Sequence, residues 1–201
     1  MSVLAIAPSV DPVAPAAVLP EELLRLPDEG KLYELVDGQL VEKQMSDIAE
    51  FVANRLKTLI DVWGLPSGNG TALVESAYRC FAHAPGMVRR PDVSYISPAR
   101  LATYTWGRGF FAIAPDLAVE VVSEHDEVLE QDRKISDYFR AGVKRVWVIN
   151  PELQIVRIHR APGDLSELVG DALLADDSIL PGFKCPLPTI FAKPGVAPTP
   201  Q

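Results

Sequence analysis

Cysteine is scarce in this 201-residue sequence, and that scarcity limits the folds and sites it can form. Only Cys80 and Cys185 are present, and neither belongs to a CxxC pair. The three histidines, His83, His125 and His159, have no zinc-like spacing. The pattern therefore indicates neither a disulfide-stapled scaffold nor a zinc site. We interpret both cysteines as small buried hydrophobes in a reducing compartment.

Long hydrophobic runs are also missing. No segment is apolar for long enough to span a bilayer, and the first residues lack the basic start of a signal peptide. We expect residues 1–19 to be a disordered Ala/Pro-rich tail, residues 20–192 to form a single domain, and residues 193–201 to be a disordered C-terminal tail. This organisation predicts a cytoplasmic protein with no membrane partner.

Basic residues do not predominate either. The formal net charge is −8. This balance argues against a protein that binds nucleic acid by surface charge alone. It is compatible with an enzyme whose carboxylate cluster is neutralised by a divalent metal ion.

Hydrophobic periodicity predicts a sheet flanked by helices. KLYELVDGQLVEKQ alternates around Asp37-Gly38, which indicates an N-terminal β-hairpin, and Ser46 is placed to cap a long amphipathic helix. TALVESAYRCFAH and RRPDVSYIS have the composition of strands. The run from 117 to 150 is a strand–helix–strand crossover, whose two strands should be parallel. We therefore predict the α/β (α+β) class, with a mixed β-sheet.

One predicted strand, in PDLAVEVVS, carries a carboxylate in its middle. An ionised Glu120 in a core is unfavourable by several kcal/mol unless a positive group meets it. Glu120 lies about 10 Å from the end of its strand, and Lys134 lies about 10.5 Å along the following helix. Because a crossover helix returns antiparallel to its strand, Lys134 reaches the level of Glu120 if it faces the sheet.

A second acid, Asp92, begins the strand DVSYI. If this strand neighbours that of Glu120, the two carboxylates stand about 4.8 Å apart, which suits two oxygens sharing one hard cation. Two carboxylates and a lysine around Mg²⁺ form a compact arrangement for hydrolysing a phosphodiester. Each residue alone also has an ordinary interpretation: a Pro-Asp strand entry, an edge glutamate, and a solvated helix lysine with Arg133 facing inward instead.

Several motifs around these residues resemble the Uma-type restriction endonuclease family of the PD-(D/E)xK nuclease superfamily. They are VRRPDVSYI, APDLAVEVVS and KISDYFRAGVKRVWVINP, with LYELVDGQLVEK before them and LPGFKC after them. The resemblance implies a restriction-endonuclease-like core and Mg²⁺-dependent cleavage of DNA, with Mn²⁺ as a substitute. Asp92 matches the first acid of the superfamily and Glu120 the second. Val122 stands where a strand lysine is expected, and Lys134 occupies the helix position that this family uses instead.

The resemblance also implies subsidiary residues. In such nucleases the residue after the second acid, here Val121, gives its backbone carbonyl to the metal. A further acid from the N-terminal part often assists, and Glu34 and Glu42 are the candidates. The histidine that many members carry early in the first long helix is absent from residues 46–49. For Arg89 and Arg90, a phosphate contact at the cleft mouth and a solvated strand start are alternatives.

These observations predict a metal-dependent endonuclease that hydrolyses DNA phosphodiester bonds, working as a homodimer if it cuts both strands. Two alternatives stay open: a catalytically silent nuclease-fold module for binding or assembly, and a metal-dependent nuclease acting on RNA. The retained acids count against the silent module, since a core freed from catalysis gains by replacing Glu120 with an apolar residue.

Overall fold

Helices and strands alternate along the chain in the computed structural model, which describes residues 17–31, 33–123 and 127–193. Most of both predicted tails, and His125, lie outside these ranges. In chain order the elements are α1 (Pro20–Leu23), β1 (Tyr33–Val36), β2 (Gln39–Glu42), α2 (Asp47–Gly64), β3 (Thr71–Val74), β4 (Val93–Ile96), α3 (Pro98–Leu101), β5 (Leu117–Val121), α4 (Val128–Arg140), β6 (Arg145–Asn150), β7 (Ile155–Ala161), β8 (Asp164–Leu168), β9 (Leu173–Leu174), β10 (Cys185–Pro186) and α5 (Leu187–Phe191).

The central feature is a six-stranded mixed sheet in the order β3-β4-β5-β6-β7-β8. The pair β5–β6 is parallel and every other neighbouring pair in this sheet is antiparallel. Strands β1 and β2 form a separate antiparallel hairpin, as do β9 and β10. The predicted class, the N-terminal hairpin and the parallel crossover through α4 are all confirmed.

Local sequence explains why these elements begin and end where they do. Asp37 and Gly38 both have positive φ, 50° and 74°, as a two-residue turn between twisted strands requires. The Ser46 side chain accepts a hydrogen bond from the Ala49 N–H at 3.3 Å and so caps α2. Gly142, with φ 88°, lets the chain turn away after α4.

The sheet is covered on both faces. From β5, Leu117, Val119 and Val121 belong to the core beneath α2 and α5, whereas Ala118 belongs to the core beneath α4. This alternation follows from the two-residue period of a strand. A residue on β5 with the parity of Ala118 therefore faces α4, and Glu120 has that parity.

Two predicted strands are shorter than the sequence suggested. The strand predicted in TALVESAYRCFAH stops at Val74, because Glu75 has a φ of 50° that an extended chain does not adopt. Only Val93–Ile96 of RRPDVSYIS forms a strand, so that Asp92 lies directly before β4. No helix within the described residues is both long and apolar enough to cross a membrane.

Burial disfavours the thiolate form of both cysteines in the folded protein. It raises the pKa of the half-buried Cys80 to about 11 and raises the pKa of the buried Cys185 as well. Since the thiolate is the nucleophile, we expect Ellman's reagent at about pH 8 to modify the native protein slowly and the guanidinium-unfolded chain at once. Rapid modification of the native protein, at a rate near that of the unfolded chain, would contradict this burial.

Candidate active site

The two predicted acids lie side by side on the α4 face of the sheet. Strands β4 and β5 are antiparallel with Val93 opposite Val119, so the next position places Asp92 beside Glu120. Val93 and Val119 both belong to the α2-side core. Because side chains alternate, the neighbouring acids turn toward the opposite face. Both acids are buried, Asp92 being 3% exposed and Glu120 6% exposed.

Asp92 is held through both of its carboxylate oxygens. Its Oδ1 lies 2.6 Å from the Lys43 Nζ, and its Oδ2 accepts a hydrogen bond from the Val121 backbone N–H at 2.5 Å. The bond to Val121 fixes the first acid against the strand that carries the second. The backbone at Val121 thus lies at the centre of the site, where the resemblance expects a backbone ligand.

Glu120 is met by two side chains from α4. The Lys134 Nζ donates to its Oε2 at 3.2 Å, and the Tyr138 hydroxyl donates to its Oε1 at 2.5 Å. The predicted meeting of Glu120 and Lys134 at one level is therefore observed. Burial raises the pKa of Glu120; Lys134 opposes this rise and the negative charge of Asp92 adds to it. Burial, together with the charge of Glu120, also keeps the Tyr138 pKa well above its ordinary value, so the hydroxyl stays a donor.

Glu34 is brought into the same site, and it comes from the hairpin. Leu35 on β1 exchanges two backbone hydrogen bonds with Val88, each of 2.9 Å, which sets Glu34 beside the chain that leads to Asp92. The Glu34 Oε2 lies 3.5 Å from the Lys134 Nζ. Burial would raise the Glu34 pKa, but the positive charges of Lys134 and Arg89 lower it overall. The other candidate, Glu42, is exposed on β2 at the rim of the same cleft.

Arg89 is in the interior, and this corrects both interpretations of it. The side chain is fully buried. Its Nε and Nη2 donate to the Asp137 Oδ2 at 3.2 and 2.8 Å, and its Nη1 donates to Glu34 at 2.9 Å and to Glu130 at 2.6 Å. A guanidinium held by three carboxylates is neither a phosphate contact at the cleft mouth nor a solvated strand start. It ties the hairpin to α4.

Arg90 is buried as well. Its Nε donates to the Tyr33 carbonyl at 3.0 Å and its Nη1 to the Glu75 carbonyl at 3.2 Å, while its own N–H donates to the Glu34 Oε1 at 2.7 Å. These contacts hold the Arg90 side chain in the interior, between the hairpin and the chain at Glu75. The structure therefore places neither arginine where the phosphate hypothesis needs it.

Lys43 and Glu75 complete the site, and sequence analysis missed both. The Lys43 Nζ contacts Asp92, the Glu75 Oε1 at 2.7 Å and the Arg90 carbonyl at 2.6 Å. Burial raises the pKa of Glu75 to about 7; Lys43 counteracts the shift, and Asp92 reinforces it. The signals in the sequence were that Lys43 ends the motif LYELVDGQLVEK and directly follows the hairpin that carries the two candidate accessory acids.

Most of the predicted site residues line one cleft, and Lys43 lines it with them. They are Glu34, Glu42, Asp92, Glu120, Val121 and Lys134. No group of three or more His, Cys, Asp or Glu side chains within the described ranges has the geometry of a metal-binding cluster.

Removing the buried arginine tests its structural role. We expect Arg89→Met to lower the free energy of unfolding by about 3–5 kcal/mol, since it leaves Glu34 and Asp137 buried without their main partner. The measurement is chemical denaturation. The matched control is Arg157→Met, which removes an exposed pair with Glu167 and should change the same quantity by about 0–1 kcal/mol. Equal losses in the two variants would contradict the assignment.

Comparisons with known proteins agree with this architecture. The model of the Uma2 family, described as "Putative restriction endonuclease", matches residues 20–188. The crystal structure of "a putative nuclease belonging to DUF820" from Anabaena variabilis superposes with a TM-score of 0.73 at 21% sequence identity. This match covers 87% of this chain and 97% of that one. At this identity the likeness concerns the fold. A search of curated proteins found no match.

Proposed function

Because the chain belongs to the Uma2 family, we propose that it is a Mg²⁺-dependent endonuclease that hydrolyses phosphodiester bonds in DNA. The observation that carries this proposal is the meeting of Asp92, Glu120 and Lys134 in one cleft. Two adjacent buried carboxylates with an ammonium beside them are unfavourable for a fold that needs only a core. They are groups that metal-assisted phosphodiester hydrolysis can use.

The donor atoms fit a small hard cation. Asp92 and Glu120 offer carboxylate oxygens and Val121 a backbone carbonyl, and Mg²⁺ in proteins is usually held by one or two carboxylates with water completing the shell. Carboxylates and cations alternate around this pocket: Glu75 and Asp92 contact Lys43, and Glu34 and Glu120 contact Lys134. When bound, Mg²⁺ would polarise a phosphoryl oxygen and make a coordinated water nucleophilic.

The protein's own groups would then position the reactants. Lys134 points its ammonium into the cleft beside Glu120, where it can orient the attacking water or stabilise charge that develops on the phosphate. The Tyr138 hydroxyl donates to the Glu120 Oε1, so that the orientation of this carboxylate is fixed before substrate binds. The Val121 N–H does the same for Asp92.

Substitution of the three central residues tests the proposal. We expect Asp92→Asn, Glu120→Gln and Lys134→Met each to lower the rate of plasmid cleavage by at least about a hundredfold, because each removes a ligand or a charge from the reacting centre. The assay uses pure full-length protein with Mg²⁺, Mn²⁺ or EDTA. Glu152→Gln, an exposed acid after β6, is the control that should cleave normally.

Other outcomes would count against the proposal. Cleavage that survives Asp92→Asn or Glu120→Gln points to another site or a contaminant. Cleavage of RNA but not of plasmid would replace DNA by RNA as the substrate. Metal binding without cleavage of either nucleic acid would favour a silent binding or assembly module.

The hairpin acid offers a separate test. We expect Glu34→Gln to lower the cleavage rate about tenfold, because the amide oxygen still accepts from the Arg90 N–H but the carboxylate charge facing Lys134 and Arg89 is lost. Glu42→Gln, on the exposed rim, should have a smaller effect. A urea unfolding curve for each variant shows whether the protein is folded. An equal or larger loss of rate in Glu42→Gln would make Glu42 the assisting acid instead.

A further inference from the structure

We propose that the Lys43 ammonium pairs with the Asp92 carboxylate when no divalent ion is bound, and that it moves away from Asp92 when a divalent ion binds there. The inference rests on the proposed function, since it takes Asp92 and Glu120 as the metal-binding pair. It assigns a positioning role to Lys43, the last residue of the motif LYELVDGQLVEK, to which the family resemblance gave no role.

Each of the three N–H donors of the Lys43 ammonium has an acceptor. The Nζ lies 2.6 Å from the Asp92 Oδ1, 2.7 Å from the Glu75 Oε1 and 2.6 Å from the Arg90 carbonyl oxygen. An ammonium has three N–H donors, and here three acceptors surround it. The side chain is 9% exposed, so this is a buried, fully coordinated cation.

Lys43 also supplies a positive charge beside the first acid. Its Nζ lies within 2.7 Å of both the Asp92 and the Glu75 carboxylates. It thereby pairs with a buried carboxylate whose burial unpaired would oppose folding.

A divalent ion at Asp92 must compete with this ammonium. The Oδ2 of Asp92 already accepts from the Val121 N–H, which belongs to β5 and stays where the strand is. The other oxygen, Oδ1, is the one that Lys43 holds. Two like charges on one carboxylate oxygen repel each other strongly in a buried site. Lys43 is the partner able to move, because it is a flexible side chain.

Glu75 is the carboxylate that Lys43 would keep as a partner on leaving Asp92. Its side chain is 33% exposed and lines a second groove, which Lys43 and Asp92 also line together with Lys31, Glu50 and Asn54. On leaving Asp92 the ammonium therefore keeps a carboxylate partner at the border of two grooves. The acids that Lys134 contacts, Glu34 and Glu120, are by contrast both buried in the site.

Removing the charge of Lys43 should therefore strengthen metal binding. We expect Lys43→Gln, in the full-length protein without nucleic acid, to bind Mn²⁺ at least about tenfold more tightly than the unmodified chain by titration calorimetry. Lys57→Gln is the matched control, because it removes a lysine paired with Asp61 at 2.6 Å on α2, outside the site. Its affinity for Mn²⁺ should not change. Lys43→Met, which keeps the apolar stem, should behave like Lys43→Gln.

A second measurement does not depend on metal. In EDTA, we expect Lys43→Gln to lower the urea midpoint of unfolding, and to lower it much less in an Asp92→Asn background, where the carboxylate charge is already gone. If Lys43→Gln does not fold at all in EDTA, recovery of its folded signal on adding Mn²⁺ supports the proposal, and failure to recover overturns it.

The outcomes separate this proposal from the function it rests on. If the unmodified protein binds Mn²⁺ and Lys43→Gln binds it equally or more weakly, the role of Lys43 is overturned while the nuclease proposal stands. If no variant binds Mn²⁺, both are overturned. If Lys43→Gln binds more tightly but no variant cleaves nucleic acid, the role of Lys43 stands and the nuclease proposal falls.

Discussion

The structure depends on pairing buried carboxylates with cations inside a sheet that is covered on both faces. Asp92 and Glu120 lie where β4 and β5 are buried, and desolvation of two adjacent acids opposes folding unless cations come close. Lys43, directly after the hairpin, contacts Asp92, and Lys134 on α4 contacts Glu120. The hairpin and α4 thus each bring one ammonium to the same edge of the sheet.

Helix α4 serves two ionic groups at once. Lys134 and Tyr138, one turn apart, face Glu120, whereas Glu130 and Asp137 hold the buried guanidinium of Arg89. The two groups meet at Glu34, which contacts both Arg89 and Lys134. The ion pairs of the buried Arg89 are thereby connected through Glu34 to the lysine that faces the cleft. The buried arginine and the cleft lysine belong to one network of ion pairs.

The proposed function has to be reconciled with the acidic composition of the protein. A net charge of −8 does not favour binding of DNA by surface electrostatics alone. If the carboxylates of the cleft hold a divalent cation, as proposed, that ion with Lys134 beside it would reverse the local sign. Recognition of a phosphate would then depend on the loaded site more than on the surrounding surface.

Much of the fold follows from local sequence. Asp37 and Gly38 adopt the positive φ of a hairpin turn, Ser46 caps α2, and the lengths of β5 and α4 bring Lys134 level with Glu120. These features depend on neighbouring residues or on the regular rise of a helix and a strand. The tertiary structure alone decided the partners of Arg89, the contact of Lys43 with Asp92, and the early end of β3 at Glu75. The contacts of Arg89 and Lys43 join residues far apart in sequence through irregular segments, where no periodicity indicates which side chains will meet. The end of β3 likewise depends on a backbone angle at Glu75 that no hydrophobic pattern indicates.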